Sequence, residues 1–206
     1  AQYQVGAVSA IALGDENQCA VNVDGRIAQI DLDNGNIKTL RTPGVEKAGR
    51  LTWDHDGNVL VFDEGKDLQI KAFSVEGKLV YTCGKTGGRP LRGVYDKQGL
   101  LSIVSMDVDA KGHVWTVEQG ENPRRVATWG RDGKLVRDMV GNTGYSGTGS
   151  YLDANDPDSA FIGSLRFSIN RKQRTSELAE ILWVPRSEHS ETFTLWSHPH
   201  HFSNPG

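Results

Sequence analysis

Two stretches of this 206-residue chain repeat each other. Residues 51–80 read LTWDHDGNVLVFDEGKDLQIKAFSVEGKLV, and residues 104–136 read VSMDVDAKGHVWTVEQGENPRRVATWGRDGKLV. With Gly57 aligned on Gly112, the two stretches match along their length with a single one-residue gap. Self-similarity with a period of roughly 40 residues, in a strand-rich sequence, is typical of β-propeller blades. The repeat therefore predicts an all-β chain built from such blades.

Each copy of the repeat divides into four apolar runs separated by turn sequences. Gly77 and Gly133 lie in the last of these turns, where a hairpin connection favours a residue with positive φ. Short runs with a turn signal about every ten residues indicate an antiparallel meander of four strands. The predicted strands are 51–54, 58–63, 68–74 and 78–82 in the first copy, and 104–108, 113–118, 124–130 and 134–139 in the second.

Two weaker copies flank the clear pair, so about four blades are visible. We expect a single propeller domain or propeller segment over residues 1–206, with blades near 8–44, 47–83, 100–140 and 158–198. Most closed propellers have more than four blades, and an open one would expose strand edges that invite association. We therefore expect either a segment of a longer protein or a chain that completes its ring by self-association.

The repeat resembles NHL-type repeats and, more loosely, the six-bladed gluconolactonase-like propellers. The resemblance rests on Asp-x-x-Gly-x-Val-Trp/Leu-Val at 54–61 and 109–116, and on Arg-Val-x-x-Trp/Phe-x-x-x-Gly-Lys-Leu-Val at 125–136. It implies a propeller of four-stranded antiparallel blades. Because NHL-like propellers include RNA binders, protein binders, lyases and metal-dependent lactonases, the resemblance leaves the function open.

Composition and charge restrict the kind of partner. Hydrophobic residues make up 37% of the chain, and 24 glycines suit an all-β fold. No apolar run approaches the roughly 20 residues that a membrane-spanning helix needs. A net charge of −3, without a stripe of Lys and Arg, argues against a nucleic-acid surface. The sequence leaves the compartment open, with the periplasm or the extracellular space slightly favoured.

Four polar connections are expected to emerge on one rim of the propeller. They are residues 63–67, 83–99, 118–124 and 141–159, and each joins strands at the same end of a blade. Loops held by a rigid scaffold are where binding and catalytic groups concentrate. The sequence therefore predicts a functional site on this loop-rich rim.

The residues of these loops favour a carbohydrate or an anionic small molecule as ligand. Tyrosine rings stack on the C–H faces of sugars, and carboxylates and guanidinium groups bind hydroxyls or anions. The predicted ligand-binding residues are Arg89, Arg92, Tyr95, Asp96, Glu118, Asn122, Arg124, Tyr145 and Tyr151. They indicate a non-catalytic recognition propeller whose partner is a small molecule or glycan, or alternatively another protein.

Acidic side chains on the same loops supply an alternative, metal-dependent function. Asp63, Glu118, Asp153, Asp156 and Asp158 offer the hard oxygen ligands that calcium or another divalent cation prefers. The segment 151–158 lacks the Gly and the final Glu of an EF-hand loop. The lactonase-like resemblance implies a hydrolase or lyase with channel carboxylates, but the Asn motif of that family is not recognisable. A third alternative is a structural or protein-docking segment.

Cysteines and tryptophans are expected to serve mainly the core. Cys19 and Cys83 lack metal-ligand spacing, so we expect small buried residues, with a disulfide between neighbouring blades as the alternative. Large rings fill the wedge between adjacent sheets, and the tryptophans predicted to do so are Trp53, Trp115, Trp129 and Trp183.

Overall fold

The computed structural model describes residues 6–14, 17–119, 123–141, 150–162 and 164–182. Every regular element in these ranges is a β-strand, which confirms the all-β prediction. A helix long and apolar enough to cross a membrane does not occur in the same ranges.

The strands form four antiparallel sheets, which we number in chain order. Sheet one has the order β1-β2-β3-β4, sheet two β5-β6-β7-β8, sheet three β10-β11-β12-β13 and sheet four β14-β15-β16-β17-β9. The strands are β1 (Val8–Leu13), β2 (Gln18–Val23), β3 (Arg26–Asp31), β4 (Ile37–Leu40), β5 (Ala48–Trp53), β6 (Val59–Asp63), β7 (Gln69–Phe73), β8 (Leu79–Cys83), β9 (Gly93–Val94), β10 (Ile103–Val108), β11 (Val114–Glu118), β12 (Arg125–Trp129), β13 (Leu135–Val140), β14 (Ser150–Leu152), β15 (Ser159–Ile162), β16 (Leu165–Asn170) and β17 (Thr175–Ile181).

The chain divides into two compact units. Unit one comprises residues 1–89, 97–118 and 126–138, and unit two comprises residues 90–96, 119–125 and 139–206. In unit one the first strand of sheet two, β5, contacts the first strands of both neighbouring sheets, β1 and β10. Consecutive four-stranded meanders arranged around their first strands are successive blades of a β-propeller. The predicted fold class is confirmed.

Apolar side chains fill the space between adjacent sheets of unit one. All five residues of β6 and of β7 are buried, because both faces of sheet two pack against a neighbour. Trp129 is completely buried between sheets two and three, as predicted. The two clusters are formed by Ala20, Ile27, Leu40, Leu51, Val59, Val61 and Phe73 on one side, and by Leu60, Phe62, Ile70, Met106, Val114, Ala127 and Trp129 on the other.

Both cysteines are buried free thiols, so the alternative of an interblade disulfide is wrong. Cys83 lies in the core between sheets two and three, and burial raises the pKa of its thiol to about 12. Cys19 packs in a smaller cluster with Val21 and Ile30 on sheet one. Both side chains therefore act as small core residues.

Sheet four differs from the sequence expectation in its first and last strands. Its first strand, β14, lies inside residues 141–159, which were predicted to be a connecting loop. Its edge strand, β9, comes from the other predicted loop and pairs Val94 with Glu180 and Gly93 with Ile181. Strands of two or three residues are too short to show a period-2 pattern. The strand expected near residues 191–196 lies outside the described residues.

A repeated glycine forms the joint between sheets. Gly77 and Gly133 occupy the same position of the repeat, in the turn between the third and fourth strands, with φ of 83° and 76°. A Cβ atom on Gly77 would lie 2.6 Å from the carbonyl oxygen of Arg41, and one on Gly133 would lie 2.1 Å from that of Thr82. Each turn therefore sits against the main chain at the outer edge of the preceding sheet.

Gly133→Ala tests this joint, with Gly57→Ala as a matched control. Both glycines have φ of 76°, so both variants should lose about 1–2 kcal/mol from the left-handed backbone. Only Gly133 lacks room for a Cβ, whereas nothing lies within 4 Å of a Cβ on Gly57. We expect urea denaturation to show a clearly larger loss for Gly133→Ala. Equal losses of unfolding free energy in the two variants would contradict the close contact between Gly133 and the preceding sheet.

Candidate functional site

Both repeat copies have an aspartate that caps the turn between the first two strands. Asp109 Oδ1 accepts hydrogen bonds from the main-chain N–H groups of Lys111 and His113, both at 2.9 Å. Asp54 accepts the equivalent bonds from the second and fourth residues after it. The Asp-x-x-Gly motif that carries the family resemblance is therefore a turn-forming device.

Asp109 also fixes two ring side chains of sheet three. Its Oδ2 accepts a hydrogen bond from Trp115 Nε1 at 2.9 Å and contacts His113 Nδ1 at 3.2 Å. The bond from Trp115 and the main-chain N–H of His113 hold the pKa of Asp109 well below its usual range. Because both oxygens are engaged, this carboxylate orients its neighbours and is poorly placed to act as a general base.

A cavity of about 320 Å³ lies beside Asp109. Its volume is at the lower end of the range for small-molecule sites. Within the described residues, the side chains of Lys111 and Arg137 form neither a salt bridge nor a hydrogen bond. The cavity is lined by Asp109, Ala110, Lys111, His113, Trp115, Thr128, Val136 and Arg137. We call it the sheet-three cavity.

The sheet-three cavity uses positions that are core positions in the other copy of the repeat. In sheet two the aligned residues pair across neighbouring strands and pack towards sheet three. The aligned pairs are Leu60 with Trp115, Ala72 with Thr128 and Tyr81 with Arg137. Sequence reasoning assigned Trp115 to the core and missed the cavity. The signal that could have found it is this change from apolar to polar residues between copies.

Asp63, a predicted metal ligand, is completely buried in an internal network. Its Oδ1 accepts main-chain N–H bonds from Glu46, Lys47 and Gly65. Its Oδ2 lies 2.7 Å from Lys71 Nζ. Burial raises the pKa of Asp63, but the bonds from Lys71 and the main chain outweigh burial and lower it overall. The carboxylate thus ties β7 to the chain entering β5.

Glu118 occupies the position of Asp63 in the next copy and has an equivalent role. Its Oε2 lies 2.9 Å from a terminal guanidinium nitrogen of Arg89 and accepts the main-chain N–H of Leu101 at 3.1 Å. The side chains of Arg89 and Glu118 are 1% and 2% exposed. Two predicted rim residues therefore bind each other, and they anchor the segment that connects sheets two and three.

The remaining predicted ligand-binding residues all belong to the ranges of unit two. The guanidinium carbon of Arg125 lies 5.8 Å from the centre of the Tyr95 ring, a cation–π contact that occupies one face of that ring. Arg92 is exposed, and Asp96 and Arg124 are partly buried. Tyr151 lies in β14, but its side chain, like Asn122 and Tyr145, lies outside the described residues.

The acidic segment predicted to bind calcium folds into local turns. Asp153 Oδ1 accepts the main-chain N–H of Asn155, and Asp156 Oδ1 accepts that of Asp158. Asp158 pairs with Arg171 at 3.0 Å. In the parts of the chain that the structure describes, no three His, Cys, Asp or Glu side chains are grouped so that they could hold a metal ion. The cation site stays a prediction.

Comparisons with known proteins assign no family. No protein-family model matches the chain, and no curated protein matches it either. Similar solved structures include the computationally designed Ika4 protein, with 16% identity over 87% of this chain and 94% of that chain and a TM-score of 0.47. A structure of a nidogen/laminin complex has 13% identity over 86% of this chain and 77% of that chain, with a TM-score of 0.49. An inactive virginiamycin B lyase from Staphylococcus aureus, solved with quinupristin, has 18% identity over 83% of this chain and 54% of that chain, with a TM-score of 0.46. Likenesses this weak assign neither family nor activity, and the fold rests on the strand pairing.

Glu118→Gln is expected to destabilise the protein strongly, because it removes the charge that faces buried Arg89. Breaking a buried ion pair from one side costs about 3–5 kcal/mol. The control is Asp56→Asn, which breaks the exposed pair with Arg131 and should change stability by less than about 1 kcal/mol. The two losses are compared by urea denaturation at pH 7. If Glu118→Gln were as mild as Asp56→Asn, Glu118 would not be a structural anchor.

Asp109→Asn is expected to lower the melting temperature in a pH-dependent way. The pKa of Asp109 is depressed in the folded state, so its ionised form stabilises the fold above the unfolded-state pKa. This contribution is lost as the pH falls. The melting temperatures of variant and wild type should therefore differ most at neutral pH, begin to converge below about pH 4 and meet only below the depressed folded-state pKa. Asp24→Asn, at an exposed turn, is the control for removal of a surface carboxylate and should leave the melting temperature at neutral pH nearly unchanged.

Proposed function

We propose that this chain is a non-catalytic ligand-binding β-propeller whose site is the sheet-three cavity. Its ligand is a carbohydrate or an anionic small molecule. The observation that carries the proposal is the Trp115 ring, which a 2.9 Å hydrogen bond to Asp109 holds at the cavity. Beside it lie two cationic side chains, Lys111 and Arg137, that form no salt bridge with any residue the structure describes.

A ring held in this way supports carbohydrate binding. Aromatic side chains bind ligands best when their rings are already oriented, because little conformational entropy is then lost on binding. Trp115 is half-buried, so one part of the ring is fixed by the sheet and another part faces the cavity. Its apolar surface suits the C–H face of a sugar, and Thr128 and His113 supply polar groups around it.

The NHL-type resemblance belongs to the same proposal and rests on the two copies of the sequence motif. The Asp109 turn of that motif is also what orients Trp115 and His113. A turn that is structural in sheet two therefore also serves ligand binding in sheet three. The predicted rim residues Arg89 and Glu118 are left out of the site, because they already neutralise each other.

Trp115→Ala is expected to weaken ligand binding about tenfold or more, because it removes both the apolar area that the ring buries and a stacking contribution of about 0.5–1.5 kcal/mol. Ligands are first found on a glycan array and their affinities are then measured by calorimetry. Trp53→Ala is the matched control, since Trp53 is also half-buried but lies outside the cavity. Circular dichroism checks that both variants fold. A ligand that Trp115→Ala binds as tightly as the wild type does would refute the proposed site.

A further inference from the structure

The charges around the sheet-three cavity differ from those at the same places in sheet two. Lys111 aligns with Asp56, and Arg137 aligns with Tyr81. Two positions that are acidic and neutral in sheet two are therefore both cationic in sheet three. Since Asp56 forms a salt bridge with Arg131, its position has a structural role that Lys111 no longer has.

In the part of the chain that the structure describes, neither of these cations pairs with a carboxylate. Lys111 and Arg137 are both exposed, and neither forms a salt bridge within the described residues. Asp109 is the acidic residue that lines the cavity, but its oxygens are engaged by Trp115, His113 and main-chain N–H groups. A guanidinium fork and a flexible ammonium group beside one cavity form a suitable pair for binding an anion.

A threonine hydroxyl in the same cavity forms no hydrogen bond with the residues that the structure describes. Thr128 is 3% exposed and lines the cavity, and its hydroxyl forms no hydrogen bond within the described residues. By contrast, the Thr116 hydroxyl on the neighbouring strand bonds the carbonyl oxygen of Ala127 and accepts the Trp129 N–H. The Thr128 oxygen is not one of the buried polar atoms that lack a hydrogen-bond partner, so it is open to the cavity and can bond a polar group of a ligand.

We infer that the sheet-three cavity binds an anionic saccharide. The sugar ring lies on Trp115, a sugar hydroxyl bonds Thr128, and the acidic substituent lies between Lys111 and Arg137. This inference rests on the proposed function and narrows its ligand class. An anionic saccharide would contact the ring, the hydroxyl and the two cations at once. A neutral sugar would leave Lys111 and Arg137 without a charged partner from the ligand. A simple inorganic anion would make no contact with Trp115 and Thr128.

The test compares three matched ligands by calorimetry: trigalacturonate, neutral galactotriose and a sulfated galactotriose. We expect at least one of the two acidic sugars to bind about tenfold more tightly than the neutral one, since a charge-assisted hydrogen bond is worth that factor. Comparison of trigalacturonate with the sulfated galactotriose shows whether the site prefers a carboxylate or a sulfate. Raising the salt concentration should weaken the acidic sugar selectively, because exposed charges are screened.

Variants assign the contacts. Arg137→Ala and Lys111→Ala should each reduce affinity for the acidic sugar about tenfold and leave the neutral sugar unchanged. Thr128→Val should weaken both sugars. Arg50→Ala and Lys134→Ala, which remove exposed cations outside the cavity lining, are the controls and should change neither.

Two outcomes would overturn the inference in distinguishable ways. If all three sugars bound equally and Trp115→Ala abolished their binding, the proposed function would stand and the anion preference would fall. If none of the sugars bound the wild type and the glycan array showed no ligand that depends on Trp115, the proposed function would fall with it.

Discussion

The packing of sheets one, two and three depends on close contacts between a glycine and a main-chain carbonyl group. Where the third turn of a sheet meets the outer strand of the preceding sheet, Gly77 and Gly133 lie so close to a carbonyl oxygen that no Cβ could fit. Repetition of one contact at one position of the repeat sets sheet two against sheet one and sheet three against sheet two in the same way. The apolar clusters on either side of sheet two, and the full burial of β6 and β7, follow from that approach.

Charged residues inside the fold are used for the same structural purpose. Asp63 with Lys71, and Glu118 with Arg89, secure equivalent strand ends, although the cation comes from a strand in one copy and from a connecting segment in the other. Ala127 occupies the aligned position of Lys71, so the second copy needs an outside cation. Carboxylates engaged in this way stabilise the blades, so the proposed ligand site rests on other charges, those of Lys111 and Arg137.

Repetition made most of unit one predictable from sequence, and deviation from repetition made the site hard to predict. Strands β6 to β8 and β10 to β13 lie within one residue of their predicted bounds, because two aligned copies reinforce each pattern. Strand β5 starts earlier, at Ala48, because a register irregularity separates Ala48 from Leu51. Trp115 was assigned to the core because large rings are expected to fill the wedge between sheets. Only its polar neighbours Thr128 and Arg137 show the difference from sheet two, where the residue aligned with Trp115 is buried Leu60.

The indole N–H signal of Trp115 reports directly on whether a ligand binds at this ring. Trp115 and fully buried Trp129 each donate an indole hydrogen bond, to Asp109 and to Thr116 respectively. In a ¹H–¹⁵N spectrum assigned with Trp115→Phe, titration with whichever acidic sugar binds more tightly should shift the Trp115 signal saturably and leave the Trp129 signal in place. A Trp115 signal that stays unmoved while the sugar binds would contradict the account.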